Sequence, residues 1–367
     1  MNDEITGRQA GSLCAISMLA LKLVTLPSIL YQLAKTSGLV SAFCLFLIDF
    51  FGLYLILRLK QKFPNLSLYD LLNKTIGKVL AKAIYIIIYC FMLLKLIFIV
   101  NEAVSYTQAI VDEEFSNVMF LMCFLPVISA VAHSGLKSTA RTCEVGFIFV
   151  ILGLIVCLFL SETTTSFMKL SSIFESSPLN ILSSSFSTSI WFVDFLFLLI
   201  IMDKIKIEKD FTKRIFNLII FVFIILSIFY FIYFRLFRNT AFLHKNAIAD
   251  VTQYNRNIGN VGNIDIISIL VYLFVIYFQG AIYMSCMRIC FEKIIGQVNP
   301  TWAIIFTNIV LIILQFFIFY NLERTIDFYM SYFKYIWPFL WLIIVLLSFM
   351  KGENKNVRKV KSNIKSK

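Results

Sequence analysis

The chain has 367 residues, of which 60% are hydrophobic and only 15% are charged, and its mean hydropathy is +0.86. A water-soluble domain carries about 25% charged residues, so this composition excludes a soluble globular protein and indicates an all-α membrane protein. The net charge of +12 does not indicate nucleic-acid binding, because the basic residues cluster beside apolar runs and are not interleaved with aromatic residues.

The apolar stretches predict about ten transmembrane helices, since one span needs about 20 apolar residues. In chain order they cover residues 10–34, 38–58, 79–110, 117–133, 143–161, 183–203, 214–235, 264–288, 301–321 and 328–350. The third is too long for one crossing unless it is tilted or projects beyond the membrane. Between the second and third spans, residues 63–72 predict a short amphipathic helix on the inner membrane surface, capped by Asn65 or Ser67.

Charge in the connections predicts the orientation in the membrane. The even-numbered connections and the tail are basic, whereas the odd-numbered ones are acidic or mixed. The clearest basic connections carry Arg58, Lys60, Lys62, Lys74, Lys78 and Lys82, then Lys137 and Arg141, then Lys204, Lys206, Lys209, Lys213 and Arg214; the acidic one carries Asp112, Glu113 and Glu114. The positive-inside rule therefore places both termini in the cytoplasm, which requires an even number of spans. The longest connection, residues 235–263, is predicted to be an external cap despite Arg235, Arg238, Lys245 and Arg256.

Pro27 predicts an interruption of the first span. A proline inside a helix removes a backbone donor and its ring opposes the preceding turn, so the helix is expected to be kinked or broken near residues 24–27. In a membrane, the freed backbone groups must be met by protein, water or ligand. A simple kink is the alternative.

The sixth span begins with a run of hydroxyl residues, from Ser183 to Ser189. It lies five spans after the first, and a pair of interrupted helices in corresponding halves is typical of a five-plus-five inverted repeat with a binding site near the midplane. The alternative is that the serine run is a polar entrance loop. The predicted division is a first five-helix repeat over residues 1–165, a second over 166–350, and a basic cytoplasmic tail over 351–367.

The predicted substrate-binding residues lie at the two interruptions and on helices expected to face them: Lys22, Val24, Thr25, Leu26, Ser187, Ser189, Trp191, Tyr106 and Gln279. Half-helix termini and unwound carbonyl groups suit a carboxylate and an ammonium group. Charged side chains deep in apolar context are functional candidates by default, and here they are Lys22, Asp49, Lys95, Asp194 and Glu102. Lys22 is expected to occupy a cation position or to pair with an acid such as Asp49 or Asp194; the alternative is a structural intramembrane pair, with Lys22 reaching an internal water.

Motifs of enzymes are absent from the sequence. There is no P-loop, no G-x-S-x-G and no H-E-x-x-H, and the two histidines, His133 and His244, lie at loop edges. We therefore expect no catalytic residues, no metal site and no cofactor. Any transport would be secondary, by exchange or coupled to an ion gradient.

Several stretches resemble the spore-germination receptor B-subunit family. They are Ile5-Thr6-Gly7-Arg8-Gln9, Phe63-Pro64-Asn65-Leu66-Ser67-Leu68-Tyr69 with Ile76-Gly77-Lys78, and Gly135-Leu136-Lys137 with Ala140-Arg141-Thr142-Cys143-Glu144. The resemblance implies the amino acid–polyamine–organocation (APC) superfamily and its LeuT-like inverted-repeat fold. One departure is Leu21-Lys22-Leu23, where the family usually has a small residue.

The resemblance also implies a function. By this resemblance, the protein is expected to be a nutrient-sensing subunit of the spore inner membrane. Such a subunit binds an amino acid or similar germinant and works with an A-type membrane subunit and a C-type lipoprotein subunit. The alternatives are a vegetative secondary amino-acid transporter of the same fold and a purely structural membrane scaffold.

Overall fold

A computed structural model describes residues 4–111, 114–160, 176–254, 265–296 and 298–349. The predicted boundary between residues 165 and 166, the basic tail, and the loop residues Asp112, Glu113 and Arg256 lie outside these ranges. Within them the chain is helical, apart from one isolated β-bridge.

The α-helices are numbered in chain order. They are α1 (Gly7–Ala20), α2 (Leu26–Ala34), α3 (Gly38–Lys62), α4 (Leu68–Ile76), α5 (Lys78–Ile110), α6 (Asn117–His133), α7 (Leu136–Leu160), α8 (Pro178–Ser187), α9 (Phe197–Ile200), α10 (Phe211–Phe237), α11 (Ala247–Gln253), α12 (Asp265–Ile295), α13 (Pro300–Phe317), α14 (Leu322–Phe328) and α15 (Lys334–Phe349). A π-helical turn, Tyr329–Phe333, joins the last two.

Six helical stretches among the described residues are long and apolar enough to cross a membrane. They are Leu26–Lys62, Lys78–Ile110, Leu136–Phe159, Phe211–Leu243, Ile266–Ile295 and Pro300–Phe317. The other four predicted spans are shorter or divided: α6 has 17 residues, and the first, sixth and tenth are each built from pieces. The structure therefore confirms a membrane protein with many helices, while the count of ten stays a prediction.

The first predicted span is broken, as Pro27 predicted. Helix α1 ends at Ala20 and α2 begins at Leu26, so residues 21–25 are unwound. Pro27 lies in the first turn of α2, where its missing N–H costs nothing. A continuous helix would need a hydrogen bond from residue 27 to the carbonyl of Leu23, which proline cannot donate. That carbonyl instead accepts the backbone N–H of Ile248, at 3.0 Å.

The sixth span is also broken, but later than predicted. The serine run is helical through Ser187 at the end of α8, so it is not an entrance loop, and only its last two residues, Thr188 and Ser189, belong to the interruption. The non-α-helical stretch is residues 188–196, which holds a single 3-10 turn. Val193 has a φ of 63°, a left-handed conformation that a β-branched residue rarely adopts. The surrounding structure must therefore hold this segment.

The interior helices α1 and α5 bring the two breaks together. Helix α1 packs against α7, α10 and α12, and α12 packs against α5, α6 and α7. Almost every side chain of α1 is buried. Helix α5 is a single helix of 33 residues, and its central part is buried on all sides. The exposed side chains of α6, α7, α10 and α13 are mostly large and apolar, as expected for a surface in contact with lipid.

The N-terminal stretch Ile5 to Gln9 fastens α1 to its neighbours. Thr6 and Gln9 form a capping box, which satisfies free backbone N–H groups at the helix start. Ile5 pairs with Ile205 in the isolated parallel bridge. Arg8 forms an ion pair with Glu144 at 2.9 Å, which joins two of the stretches that carry the family resemblance. The N-terminus and the connection after the sixth span thus lie at the same end of the bundle.

Two short helices lie in the predicted connections. Helix α4 confirms the amphipathic helix: Ser67 is its N-cap, and its apolar residues Leu68, Leu71 and Leu72 are buried. In the long connection 235–263, α11 follows a 3-10 helix, Arg238–Leu243. Its buried residues include Ala247 and Ile248, so this part of the connection is structured.

Candidate functional site

Asp194 is the centre of a buried cluster of charges at the two breaks. Its carboxylate pairs with Lys22 through Oδ2 and with Lys95 Nζ through Oδ1, the latter at 3.1 Å. Asp49 is the fourth member, and all four side chains are at most 2% exposed. Two lysines thus face two aspartates, so the charges balance in a region where an unpaired charge is costly. Lys22 is thus paired with Asp194, one of the two acids that were expected as its partner.

The same cluster holds the peptide groups of the unwound sixth segment. Lys95 Nζ donates to the carbonyl of Phe192 at 2.5 Å, and the N–H of Val193 donates to Asp49 Oδ1 at 2.8 Å. Ser17 Oγ donates to the carbonyl of Asp194 at 3.1 Å. These contacts satisfy backbone groups that a helix would otherwise pair internally, which explains how the segment stays unwound in the interior.

The carbonyl groups of the unwound first segment are occupied as well. Tyr230 donates its hydroxyl to the carbonyl of Lys22 at 3.0 Å. The N–H groups of Ile248 and Ala247, at the start of α11, donate to Leu23 and Val24 at 3.0 and 3.2 Å. Helix α11 is therefore docked on the break of the first span.

Glu102 forms a second polar cluster with the same unwound segment. Its Oε1 accepts the backbone N–H of Thr25 at 3.2 Å and also the Thr25 hydroxyl, and its Oε2 accepts the Tyr272 hydroxyl at 2.9 Å. Tyr272 packs against Tyr106, whose hydroxyl donates to Ser268 at 3.2 Å. Glu102 lies one heptad after Lys95, and this face of α5 therefore meets the sixth break at Lys95 and the first break at Glu102.

A polar cleft of about 920 Å³ ends at Thr25. Its walls come from α2, α5, the starts of α6 and α14, and Lys245; the polar residues are Thr25, Ser28, Gln32, Asn101, Ser105, Gln108, Ser116, Asn117, Lys245, Tyr320, Asn321, Glu323 and Asp327. Lys245 and Glu323 approach each other at 3.6 Å near its mouth. The volume is in the range of small-molecule sites, about 300–1,000 Å³.

The remaining predicted binding residues are distributed around these two clusters. Gln279 donates to Ser17 and Tyr283, so it links α12 to α1 beside the Asp194 cluster. Trp191 is buried edge-on against Phe98. Leu26 is fully buried, whereas Ser187 is partly exposed on α8. Three of the predicted binding residues have a buried polar atom without a hydrogen-bond partner among the described residues: Ser189 Oγ, Trp191 Nε1 and Gln279 Oε1.

Sequence reasoning did not select the residues that connect the clusters. Asp194, Lys95, Asp49 and Glu102 stood out as charges in apolar runs, but they were not selected as binding residues, although that signal could have selected them. Ser17, Tyr230 and Tyr272 are ordinary hydroxyl residues of apolar helices, and no local pattern marks them. Among the described residues, no group of three or more His, Cys, Asp or Glu side chains is placed to hold a metal ion.

The fold and the paired interruptions define the class of the protein: it is an integral membrane protein with the fold of a secondary transporter. A solved structure of a Na⁺-coupled sialic acid symporter, described as a substrate-bound outward-open state, is similar with a TM-score of 0.56 and 12% sequence identity. The likeness covers 95% of this chain and 77% of the symporter chain. At this identity it shows the fold alone.

The chain belongs to the spore germination protein family, whose model matches residues 4–322. This confirms the resemblance in the N-terminal stretches and extends it well past residue 150. Family and fold are those of permeases rather than of enzymes. No curated protein sequence matches this chain.

Proposed function

We propose that this protein is the nutrient-sensing membrane subunit of a spore germination receptor and that it binds an amino-acid-like germinant. The observation that carries the proposal is the polar cleft that ends at the unwound first segment, in a chain of the spore germination family. A cleft lined by amides and hydroxyls, with one base and two acids, offers partners to both ends of a zwitterion. The buried, unpartnered atoms of Ser189, Trp191 and Gln279 offer further polar partners near the sixth break.

The proposed architecture has ten spans in two inverted repeats, over residues 1–165 and 166–350, with both termini and the tail 351–367 in the cytoplasm. The basic even-numbered connections support this orientation. The bridge between Ile5 and Ile205 supports it too, because it keeps the N-terminus beside one of those connections. The membrane is the spore inner membrane, and the partners are an A-type membrane subunit and a C-type lipoprotein subunit.

The test is ligand-dependent stabilisation of the purified full-length protein across a panel of amino acids. A ligand that binds the native state raises its stability by RT ln(1 + [L]/Kd), so a germinant raises the unfolding temperature in a saturable way. Co-purification of the A-type and C-type subunits from spore membranes tests the partners. Lack of any stabilisation across the panel, together with purification of the chain alone, contradicts the proposal.

The second candidate is a secondary amino-acid transporter, coupled to an ion or proton gradient. The two interrupted helices and the symporter-like fold favour it. Reconstituted vesicles distinguish the two functions: a transporter accumulates a labelled amino acid under an imposed gradient, whereas a sensor binds the amino acid without accumulation.

A further inference from the structure

Glu102 differs from the other charged side chains buried at the breaks. Lys22 and Lys95 each form an ion pair with Asp194, and Asp49 lies beside them. Glu102 is fully buried, yet none of the described basic residues forms an ion pair with it. Its three hydrogen-bond donors, two from Thr25 and one from Tyr272, are neutral. A buried carboxylate without a counter-charge is costly, and neutral donors offset only part of that cost.

Glu102 lies directly behind the end of the cleft. Thr25 lines the cleft and bonds to Glu102 with both its N–H and its hydroxyl, so one residue separates the carboxylate from the cleft. On α5, the adjacent Asn101 and Ser105 line the same cleft. Thr25 belongs to the unwound segment, so a small movement of this residue does not disrupt the hydrogen bonds of a continuous helix. The carboxylate is therefore close to solvent although it is buried.

From this placement we infer that Glu102 is the receptor for a positive charge that enters through the cleft, and that Thr25 covers its carboxylate. This inference rests on the proposed solute-binding function and specifies the chemistry of that site. The charge is the ammonium group of the solute or a small monovalent cation bound beside it.

The Asp194 cluster does not compete for this role. The Asp194 carboxylate already has two lysine partners, so a cation added at this carboxylate would replace existing ion pairs. At Glu102, an added cation supplies the missing counter-charge and replaces neutral donors, and charge-assisted bonds are roughly twice as strong as neutral ones. The electrostatic difference between the two clusters thus favours Glu102 as the cation site.

The experiment measures the unfolding temperature of the purified full-length protein with methylammonium chloride, NaCl or choline chloride at constant ionic strength. L-alanine and N-acetyl-L-alanine form the second arm, because acetylation removes the positive charge. We expect stabilisation by methylammonium or Na⁺ relative to choline, and by L-alanine but not by its acetylated form. In the isosteric variant Glu102→Gln, the apparent affinity for each stabilising probe falls about tenfold or more. Glu208→Gln, which neutralises an acid of the exposed pair with Arg214 outside the cleft, keeps the response.

A second variant keeps the test decisive if Glu102→Gln does not fold. Thr25→Ala removes the covering hydroxyl and leaves the carboxylate, so methylammonium is expected to stabilise it more than the wild type. An undiminished response in Glu102→Gln, a weaker response in Thr25→Ala, or no cation response in the wild type overturns the inference. Stabilisation by alanine that survives Glu102→Gln refutes this site but leaves amino-acid sensing intact. A cation response that depends on Glu102 without any amino-acid response supports the site and contradicts the sensing proposal.

Discussion

The Nζ atom of Lys22 contacts the carboxylate of Asp194 in a fully buried ion pair between residues 172 positions apart in the chain. The pair joins the unwound segment of the first span to that of the sixth. Lys22 also lies over the ring of Phe192, at 4.6 Å from its centroid, and Lys95 reaches the same carboxylate. The two breaks are therefore linked by charge as well as by packing, and a change at one affects the backbone of the other.

We expect Asp194→Asn to destabilise the protein more than Lys22→Met. The first substitution leaves two buried lysines without their shared carboxylate, and breaking a buried pair in this way costs about 3–5 kcal/mol. The second leaves Asp194 paired with Lys95. The unfolding temperatures of the two purified variants show which substitution destabilises the protein more. Glu208→Gln, which breaks the exposed pair with Arg214, is the control and should cost no more than about 1 kcal/mol. A larger loss for Lys22→Met would contradict the role of Asp194 as the shared partner.

We expect Ala247→Pro to loosen the docking of α11 on the first break. Ala247 is the first residue of its helix, where proline fits, but the substitution removes the N–H that bonds to the carbonyl of Val24. The expected loss is about 1 kcal/mol, with faster hydrogen exchange across α11 and residues 21–26. Lys78→Pro is the matched control, because it also places proline at the first position of a helix and Lys78 is exposed. Equal exchange rates in the wild type and Ala247→Pro would sink this prediction.

Asp250 makes the docking of α11 sensitive to pH. Burial raises the pKa of its carboxyl to about 6, and the N–H of Asn246 opposes the shift. The unfolded value is about 3.9, so the contribution to stability is complete below about pH 4 and is lost as the pH rises through about 6. We expect the unfolding temperature of the wild type relative to Asp250→Asn to increase as the pH falls from about 7 to about 5.

His244 and Tyr233 are the titratable groups that face Asp250. Burial lowers the pKa of His244, so its contribution has the opposite sign: it is present at higher pH and is lost as the pH falls. Repeating the comparison in a His244→Gln background separates the two groups. A gap between wild type and Asp250→Asn that stays constant with pH in both backgrounds would rule out the titration of Asp250.

Gly52 marks the contact between α3 and α15. A Cβ atom at this position would overlap the indole ring of Trp341. We expect Gly52→Ala to lower the free energy of unfolding by about 1–3 kcal/mol, because the ring must move in a packed interface. Trp341→Phe removes the overlapping ring atoms, so the double variant should recover most of the loss. Chemical unfolding in detergent measures all three proteins, and additive losses in the double variant would show that the two residues do not contact.

The sequence by itself predicted the features that arise within one helix or one turn. Pro27 predicted the first break because a missing N–H and a ring clash act on the residue four positions earlier. Ser67 and the apolar residues after it predicted α4. Long apolar runs predicted the membrane class, since hydrophobic length is a local property. The same local property singled out five charged residues, because each interrupts an apolar run: Lys22, Asp49, Lys95, Glu102 and Asp194.

The tertiary structure decided where the sixth span breaks and which charges meet. Residues 188–196 contain no proline or glycine, and they are unwound because Asp49, Lys95 and Ser17 take their backbone groups. Those partners come from helices far away in the chain, so no local pattern contains them. The charges separate into a balanced cluster around Asp194 and a Glu102 that has no ion-pair partner among the described residues. This separation likewise depends on the packing of α1, α5 and α12. Coulomb energies follow distance in space and local dielectric, and the sequence alone specifies neither.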